Sequence, residues 1–292
     1  MEKDFVTLTY TLPEAHIVER RPAAKAPIAL AKEARRALGE LRKYLRSDFE
    51  RTSQYVKDSY EKQYRTSNAK WYRNYTDRKM VMPRIEGDKI IVSDKLVILS
   101  AHMQMLSHIF DQLDCRSVLD VGSGRGNNVI ALASLRPERE YYGLELTQSG
   151  HERSLEWEKD LKEKAMPLVG IGEDMERVDF RKIHFLHGNA MTMPLPDKSV
   201  DASYTTLVLE QMPRDYPKAL SEMRRVTKKY CVFIESFRES LTLADKLDLK
   251  NRDYFRFSYK TFEKYGLRPV FFSTKFLRKN KFSTGLLIAE VT

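Results

Sequence analysis

A buried strand that runs directly into a glycine-rich turn lies near the middle of the chain, in Val118-Leu-Asp-Val-Gly-Ser-Gly-Arg-Gly-Asn127. Apolar residues on both sides of Asp120 predict the strand, and the run from Asn128 to Leu135 predicts a helix. Glycines at such a junction let the backbone approach a ligand closely, and a helix N-terminus presents backbone N–H groups without partners. The segment therefore predicts a strand–loop–helix unit that binds a ligand at the loop.

The spacing of the three glycines separates two classes of ligand. Dinucleotide-binding loops follow G-x-G-x-x-G, whereas Gly122, Gly124 and Gly126 follow G-x-G-x-G. Asn127 stands where the dinucleotide loop has its third glycine. Asp120, two residues before the first glycine, would repel a pyrophosphate but would attract an ammonium group. The spacing thus argues against a dehydrogenase, the alternative at the level of the fold.

A second acidic residue follows at the end of the next predicted strand, Tyr141–Glu145. Glu145 lies 23 residues after Gly122, close to the offset of roughly 20 residues at which such an acid meets ribose hydroxyls. Loop and acid together indicate an adenosine-type ligand that carries no pyrophosphate.

Two further blocks occur in order after the loop and the acid. The first is Gly188-Asn-Ala-Met-Thr-Met-Pro-Leu-Pro-Asp-Lys-Ser-Val-Asp-Ala202, and the second is Leu207-Val-Leu-Glu-Gln211. With these four blocks, the chain from about residue 90 to 292 resembles the class I S-adenosylmethionine-dependent methyltransferases of the small-molecule type. A glycine loop alone would be a weak signal, but four blocks in the family's order are specific.

The resemblance implies S-adenosyl-L-methionine as the cofactor and assigns roles to individual residues. Asp120 would lie near the methionine part, Glu145 would accept hydrogen bonds from the ribose diol, and Leu146 would cover one face of the adenine. Asn189 stands where the family usually has Asp, and its amide oxygen can still accept a bond from the adenine amino group. The cofactor contacts expected in this part of the chain are Asp120, Gly122, Ser123, Gly124, Gly126, Asn127, Glu145, Leu146, Asn189, Ala190, Met191 and Leu207.

Two residues near the exit of the fourth predicted strand are candidates for a catalytic base, Glu210 and Tyr204. A methyl group on a sulfonium is already activated, so the protein mainly has to orient the acceptor and exclude water. A base helps when the acceptor is a hydroxyl or an ammonium. Gln211 stands where the family often has His and cannot titrate. Glu210 is interpreted either as the base or as a structural or cofactor-side acid.

An aromatic series precedes the predicted sheet, and Tyr60, Tyr64 and Trp71 fall on one helical face. One interpretation is ordinary packing against the sheet edge. The other is a lid in which Tyr64 and Trp71 contact the cofactor, since aromatic faces attract a sulfonium cation by on the order of 1 kcal/mol. Lys62, Arg65, Lys70, Arg73 and Arg78 are interleaved with this series.

Alternating strands and helices predict an α/β fold with a Rossmann-like, seven-stranded, mostly parallel sheet. The link at Arg278-Lys-Asn-Lys281 is too short for a helical crossover, so the last two strands are expected to form an antiparallel hairpin. An N-terminal helical cap precedes the sheet, and we divide the chain into an arm and lid at 1–80 and a methyltransferase domain at 81–292. The seven predicted strands are Ser117–Val121, Tyr141–Glu145, Lys182–His187, Ala202–Leu207, Tyr230–Glu235, Val270–Lys275 and Thr284–Val291.

The net charge of +10 is unevenly distributed. Residues 1–80 carry +7 and residues 236–292 carry +6, whereas the region between them carries −3. Basic flanks favour an anionic small molecule, an RNA or a membrane surface as the partner, or simply a solvated basic surface. The leading hypothesis is therefore a methyltransferase for a small, acidic organic substrate such as a natural product or a lipid or sugar precursor. An RNA methyltransferase and a non-catalytic binding protein on the same fold are the alternatives.

The remaining composition narrows the setting. The sequence has no apolar run of 18 residues and no apolar signal core at Met1, so neither a transmembrane segment nor secretion is expected. Two cysteines cannot form a disulfide framework, and no Cys/His cluster indicates a metal site. We expect a cytoplasmic location, and the sequence leaves the oligomeric state open.

Overall fold

The computed structural model describes residues 17–22, 26–44, 49–66, 81–86, 89–164, 178–274, 278–279 and 284–292. The helices are α1 (Ala26–Tyr44), α2 (Ser53–Thr66), α3 (Lys95–Gln112), α4 (Asn127–Leu135), α5 (Gln148–Lys164), α6 (Tyr216–Val226) and α7 (Leu243–Asn251). The strands are β1 (Ile17–Pro22), β2 (Val81–Glu86), β3 (Lys89–Asp94), β4 (Ser117–Val121), β5 (Glu140–Glu145), β6 (Ile183–His187), β7 (Val200–Thr206), β8 (Thr227–Glu235), β9 (Leu267–Ser273), β10 (Arg278–Lys279) and β11 (Gly285–Val291). Among the described helices, none has the length and apolar composition needed to cross a membrane.

The larger sheet has seven strands in the order β6-β5-β4-β7-β8-β11-β9. Its first five strands are parallel, and β11 runs antiparallel to both β8 and β9. The predicted Rossmann-like sheet with an antiparallel C-terminal hairpin is confirmed. Strands β5 and β6 follow β4 on one side, and β7 and β8 follow on its other side. Because the strand order reverses at β4, the carboxyl ends of β4, β5 and β7 leave a crevice at the point where ligands bind in such sheets.

The core lies on both faces of this sheet. Successive residues of a strand point to opposite faces, so in β8 Val232 packs with α3 and α4 while Cys231 and Phe233 pack with α6. Cys115 is buried on the first of these faces. Burial raises the pKa of the Cys115 thiol to about 12 and that of Cys231 to about 11, so both are inert apolar side chains.

A second, four-stranded antiparallel sheet has the order β1-β3-β2-β10. Arg278 and Lys279 pair with Ile85 and Arg84 in this sheet. The basic segment that we predicted only as a link between the last two strands therefore also supplies a strand elsewhere. The division at residue 80 stays a prediction; β1 before it pairs with β3 after it.

In residues 31–65, the spacing of Leu38, Leu41, Leu45 and Phe49, three or four residues apart, predicts a helix with these side chains on one face. The first helix does not bury Leu38 or Leu41. Leu38 and Leu41 are 60% and 43% exposed, and the helix ends at Tyr44, before Leu45 and Phe49. Among the side chains of this helix that the structure describes, Ala37 and Glu40 are buried, because the face that contains them meets α7. Arg36 pairs there with Asp245 at 2.8 Å, and the Asn251 side-chain amide donates to Glu40. Apolar spacing identified the helix but not the face it buries.

Candidate functional site

The glycine-rich loop is joined by hydrogen bonds to the end of β5. The N–H groups of Gly122 and Ser123 both donate to the carbonyl of Leu144, at 2.8 and 2.9 Å. The N–H of Gly124 donates to Oε2 of Glu145 at 2.9 Å. The loop and the acid, which the sequence related only by their spacing, are therefore in direct contact.

The loop turns through left-handed backbone conformations. The φ angles of Gly122, Gly124 and Gly126 are 81°, 59° and 76°. Gly126 also precedes α4 directly, and a Cβ there would lie 2.5 Å from the ring of Phe185. Both the conformation and the close packing require glycine at this position.

Glu145 is buried, and its carboxylate already accepts several hydrogen bonds. Its Oε1 accepts from the backbone N–H and the hydroxyl of Thr147, at 2.9 and 2.5 Å. Burial raises the pKa of Glu145, and the bonds from Thr147 and Gly124 oppose this shift. A carboxylate has about four acceptor sites, so one further bond from a ribose hydroxyl fits directly. A second requires the Thr147 hydroxyl to turn away.

Asp120 is a buried carboxylate whose Oδ2 has no hydrogen-bond partner among the described residues. Burial, with Glu145 nearby, raises its pKa to about 7, while the Tyr204 hydroxyl and the Asn128 side chain act in the opposite direction. Buried polar atoms normally have partners. The ammonium group of S-adenosylmethionine would supply one, and the residues at the loop thus fit the cofactor that the sequence predicts.

The raised pKa of Asp120 predicts that the ligand-free protein loses stability as the pH rises. The folded state holds the proton up to about pH 7, whereas the unfolded state releases it near pH 4. The free energy of unfolding should therefore fall between about pH 4 and 7 and stay low above that range. Asp120→Asn should reduce this slope, which urea unfolding at pH 5 and pH 8 measures. Equal slopes in the variant and the wild type would contradict the assignment.

Tyr204, one of the two sequence candidates for a catalytic base, lies in the core, and its role as a base stays a prediction. It is 1% exposed, lies opposite Asp120 in the pairing of β4 with β7, and packs against Phe110. Burial and the neighbouring Asp120 raise its pKa well above the ordinary value. Its side chain is not among those that line the cavity described next.

A cavity of about 340 Å³ opens beside the loop and contains many of the predicted residues. Among these, the structure brings together Tyr64, Gly122, Glu145, Leu146, Asn189, Ala190, Leu207 and Glu210. The other residues that line the cavity, none of them among the predicted cofactor contacts or catalytic candidates, are Val56, Tyr60, Leu144, Thr147, Gly188, Thr206, Val208, Gln211 and Met212. Asp120, Ser123, Gly124, Gly126, Asn127 and Met191 are not among the lining residues, and Trp71 lies outside the described residues.

The predicted adenine end of the cavity is formed by the turn after β6. The Oδ1 of Asn189 accepts a bond from the N–H of Met191 at 2.9 Å. An amide oxygen has a second lone pair, so it can still accept a bond from an adenine amino group. Through this bond the backbone of Met191 stabilises the turn, and Ala190 lines the cavity.

Helix α2 covers the cavity with Val56, Tyr60 and Tyr64. The Arg125 guanidinium lies over the Tyr64 ring, 5.1 Å from its centroid. The helix is held to α5 by Glu61, whose carboxylate accepts from the N–H of Ser149 at 3.3 Å. Tyr60 and Tyr64 of the aromatic series therefore line the cavity, and their role as a lid over the cofactor stays a prediction.

Glu235, at the end of β8, is a buried acid that supports the cavity wall and that the sequence reasoning missed. It is fully buried, and its Oε1 accepts from the N–H groups of Val208 and Leu209, at 2.9 and 3.2 Å. These bonds hold the segment that contains Leu207, whose φ of 58° is rare for a branched side chain. Burial and the nearby Glu210 raise the pKa of Glu235 to about 8. The sequence signal that could have identified Glu235 is its position as an acidic residue directly after the apolar run Cys231–Ile234.

Known proteins resemble the chain in sequence. A family model described as a methyltransferase domain matches residues 119–234. The demethylmenaquinone methyltransferase of Geobacillus stearothermophilus is 33% identical over 117 residues, which cover 39% of this chain and 41% of that protein. The tRNA (guanine-N(7)-)-methyltransferase of Lactobacillus gasseri is 25% identical over 161 residues, 54% of this chain and 64% of that protein. The chain thus spans between two fifths and two thirds of the length of these curated relatives.

A solved structure resembles the chain over more of its length. The magnesium protoporphyrin IX methyltransferase of Synechocystis PCC 6803, solved with bound S-adenosylhomocysteine, has a TM-score of 0.55 at 13% identity. The likeness covers 82% of this chain and all of that one, and at this identity it concerns the fold. The methyltransferase-domain match over residues 119–234, the glycine loop joined to Glu145 and the seven-stranded sheet all support the predicted resemblance to the class I S-adenosylmethionine-dependent methyltransferases.

Proposed function

We propose that the protein transfers a methyl group from S-adenosylmethionine to a small organic acceptor. The observation that carries the proposal is one cavity that joins two sets of residues. Glu145 and Asn189 stand at the cofactor end, and Glu210, Gln211 and Met212 stand at the other. The bound cofactor supplies a methyl group on an activated sulfur. The chain's own residues hold the acceptor against it and keep water out.

The relatives support a small acceptor. The demethylmenaquinone methyltransferase and the magnesium protoporphyrin IX methyltransferase are named for small molecules. A cavity of about 340 Å³ also falls in the range of small-molecule sites.

An RNA acceptor is the second candidate. It is favoured by the relative named as a tRNA methyltransferase, which matches 54% of this chain, and by the basic charge of residues 1–80 and 236–292. Phosphate contacts would make such binding steeply dependent on salt.

The acidic character that we predicted for the substrate has no support in the described cavity walls. These walls include the carboxylates of Glu145 and Glu210 and, within the described residues, no Lys or Arg. Lys62 and Arg65 are exposed on α2 and do not line the cavity. The proposal is therefore a small organic acceptor without the requirement that it be acidic.

Thermal and chemical unfolding with S-adenosylhomocysteine tests the cofactor half of this proposal, with NADH as the control. Ligand at about 100 times its dissociation constant should stabilise the fold by roughly 2.7 kcal/mol. We expect stabilisation by S-adenosylhomocysteine and none by NADH. The reverse result would overturn the inference from the glycine spacing, and no stabilisation by either would contradict a working cofactor site.

A further inference from the structure

We propose that the acceptor end of the cavity binds a carbonyl oxygen through two uncharged donors, the side-chain amide of Gln211 and the hydroxyl of Tyr60. Both residues line the cavity, together with the apolar side chains of Val56 and Met212. The inference rests on the proposed function and adds the chemical class of the acceptor, an apolar molecule with a ketone, ester or amide group. It replaces the acidic substrate suggested by the charge of the flanks.

The orientation of the Gln211 amide is fixed by its hydrogen bonds. The Nη1 of Arg51 donates to Oε1 of Gln211, and Nε2 of Gln211 donates to Oε1 of Glu210, each at 3.1 Å. A guanidinium has donors only, so the amide oxygen has to face Arg51 and the amide nitrogen has to face away from it. That nitrogen carries two hydrogens, and the described residues take one of them, at Glu210. The second hydrogen is available to a molecule in the cavity.

Arg51, which sets this orientation, is itself held at several points. Its backbone N–H donates to Oδ2 of Asp253 at 2.8 Å, and its Nε donates to the carbonyl of Arg252 at 3.2 Å. Its guanidinium lies 4.2 Å from the centroid of the Tyr254 ring. The Gln211 oxygen is therefore directed by a cation that three other contacts keep in place.

The backbone of Gln211 is also held in position. Its N–H donates to the carbonyl of Val208 at 3.0 Å, and the N–H groups of Val208 and Leu209 donate to the buried Glu235. Gln211 is only 8% exposed. A donor that is fixed before a ligand arrives loses little conformational entropy on binding, so this amide is suited to recognise a ligand atom.

Tyr60 supplies the second donor from α2, on the same cavity. Burial and the nearby Glu210 raise the pKa of Tyr60 to about 12, so its hydroxyl keeps its proton at neutral pH. Glu210 and Arg51, the two groups that bond to the Gln211 amide, both act on the Tyr60 hydroxyl. The hydroxyl and the amide therefore belong to the same end of the cavity.

Two uncharged donors select an uncharged group with lone pairs. A carbonyl oxygen has two lone pairs and no hydrogen of its own, so it accepts from both donors and leaves no polar hydrogen without a partner. An anionic group would leave water for walls that, within the described residues, include no Lys or Arg, and burying a charge without a partner is costly. Val56 and Met212 provide apolar surface for the rest of the molecule.

Three probes that share a phenyl ring test the proposal: acetophenone, α-methylstyrene and benzoate. In α-methylstyrene a CH₂ group replaces the carbonyl oxygen of acetophenone. Each probe is titrated by ligand-observed NMR into the full 292-residue chain saturated with S-adenosylhomocysteine. We expect acetophenone to bind about tenfold more tightly than benzoate, because the carboxylate has to be desolvated.

Variants tie the preference to the two donors. Gln211→Met and Tyr60→Phe each remove one donor with little change in size, and each should lower the ratio of the affinities for acetophenone and α-methylstyrene about fivefold, the effect of one neutral hydrogen bond. Gln54→Met is the matched control, since Gln54 is exposed and its amide also donates to a carboxylate, that of Asp58, at 2.8 Å. This control should leave the ratio unchanged. Affinity for S-adenosylhomocysteine, measured alongside, reports whether each variant is folded.

The outcomes separate this inference from the proposed function. An unchanged ratio in folded Gln211→Met or Tyr60→Phe would overturn the two-donor site while cofactor binding stands. So would benzoate binding as tightly as acetophenone, or no binding of acetophenone to the wild type. Failure of the wild-type protein to bind S-adenosylhomocysteine would instead overturn the proposed function.

Discussion

Glu145→Ala should weaken the binding of S-adenosylhomocysteine at least 100-fold. The substitution removes a charged acceptor for the ribose and also frees the Gly124 N–H and the Thr147 hydroxyl that the carboxylate now holds. Hydrogen bonds to charged groups contribute about 1.5–3 kcal/mol each, and each 1.4 kcal/mol is about tenfold in affinity. Isothermal titration calorimetry measures the change directly.

The matched control is Glu140→Ala, at the opposite end of the same strand. Glu140 is exposed and accepts from the Tyr142 hydroxyl. Its loss should leave the affinity within about twofold of wild type. The ribose assignment would be wrong if Glu145→Ala bound S-adenosylhomocysteine within threefold of wild type while urea unfolding showed it to be fully folded.

Gly126→Ala should lower the free energy of unfolding by roughly 2–5 kcal/mol. A residue with a Cβ pays about 1–2 kcal/mol in the left-handed conformation, and overpacking a tight site adds about 1–3 kcal/mol. Here the added carbon would lie 2.5 Å from the Phe185 ring and 3.0 Å from Cβ of Ser154. Urea denaturation followed by circular dichroism measures the loss.

Gly39→Ala, the same chemical change, should raise the free energy of unfolding instead of lowering it. Gly39 lies inside α1, and an added Cβ there meets nothing within 4 Å. Alanine in a helix interior is favoured over glycine by about 0.5–1 kcal/mol. If Gly39→Ala stabilises the protein while Gly126→Ala destabilises it, the loss in Gly126→Ala comes from the geometry of the loop and not from the change of glycine to alanine itself. Similar effects in both variants would contradict the geometry described for Gly126.

The parts of the fold that depend on neighbouring residues could be predicted from the sequence. Glycine spacing, an acid at a strand end and alternating strands and helices are local signals, and they predicted the loop at Gly122, the place of Glu145 and all seven strands of the large sheet. The pairing of the last two strands followed from the short link between them.

Features that depend on distant residues could not be predicted in this way. Whether Tyr204 faces a cavity or the core depends on which strand lies beside β7 and in what register. The bond from Arg51 to Gln211 joins positions 160 residues apart, and neither residue carries a local signal for it. The two-residue strand β10 is defined by its pairing with β2, which lies almost 200 residues earlier in the chain, so no local pattern predicts it.

The way α2 is attached bears on how ligands enter and leave. This helix covers the cavity, yet Val56 is its one fully buried side chain, while Tyr60 and Tyr64 are half-buried and Glu61 bonds to Ser149. Segments with little buried apolar surface open at a small fraction of the free energy needed for global unfolding. Cofactor and acceptor can therefore exchange through release of α2 while the sheet and the glycine loop stay assembled. A substitution on the outer, solvent-facing side of α2 would then alter turnover without touching either ligand.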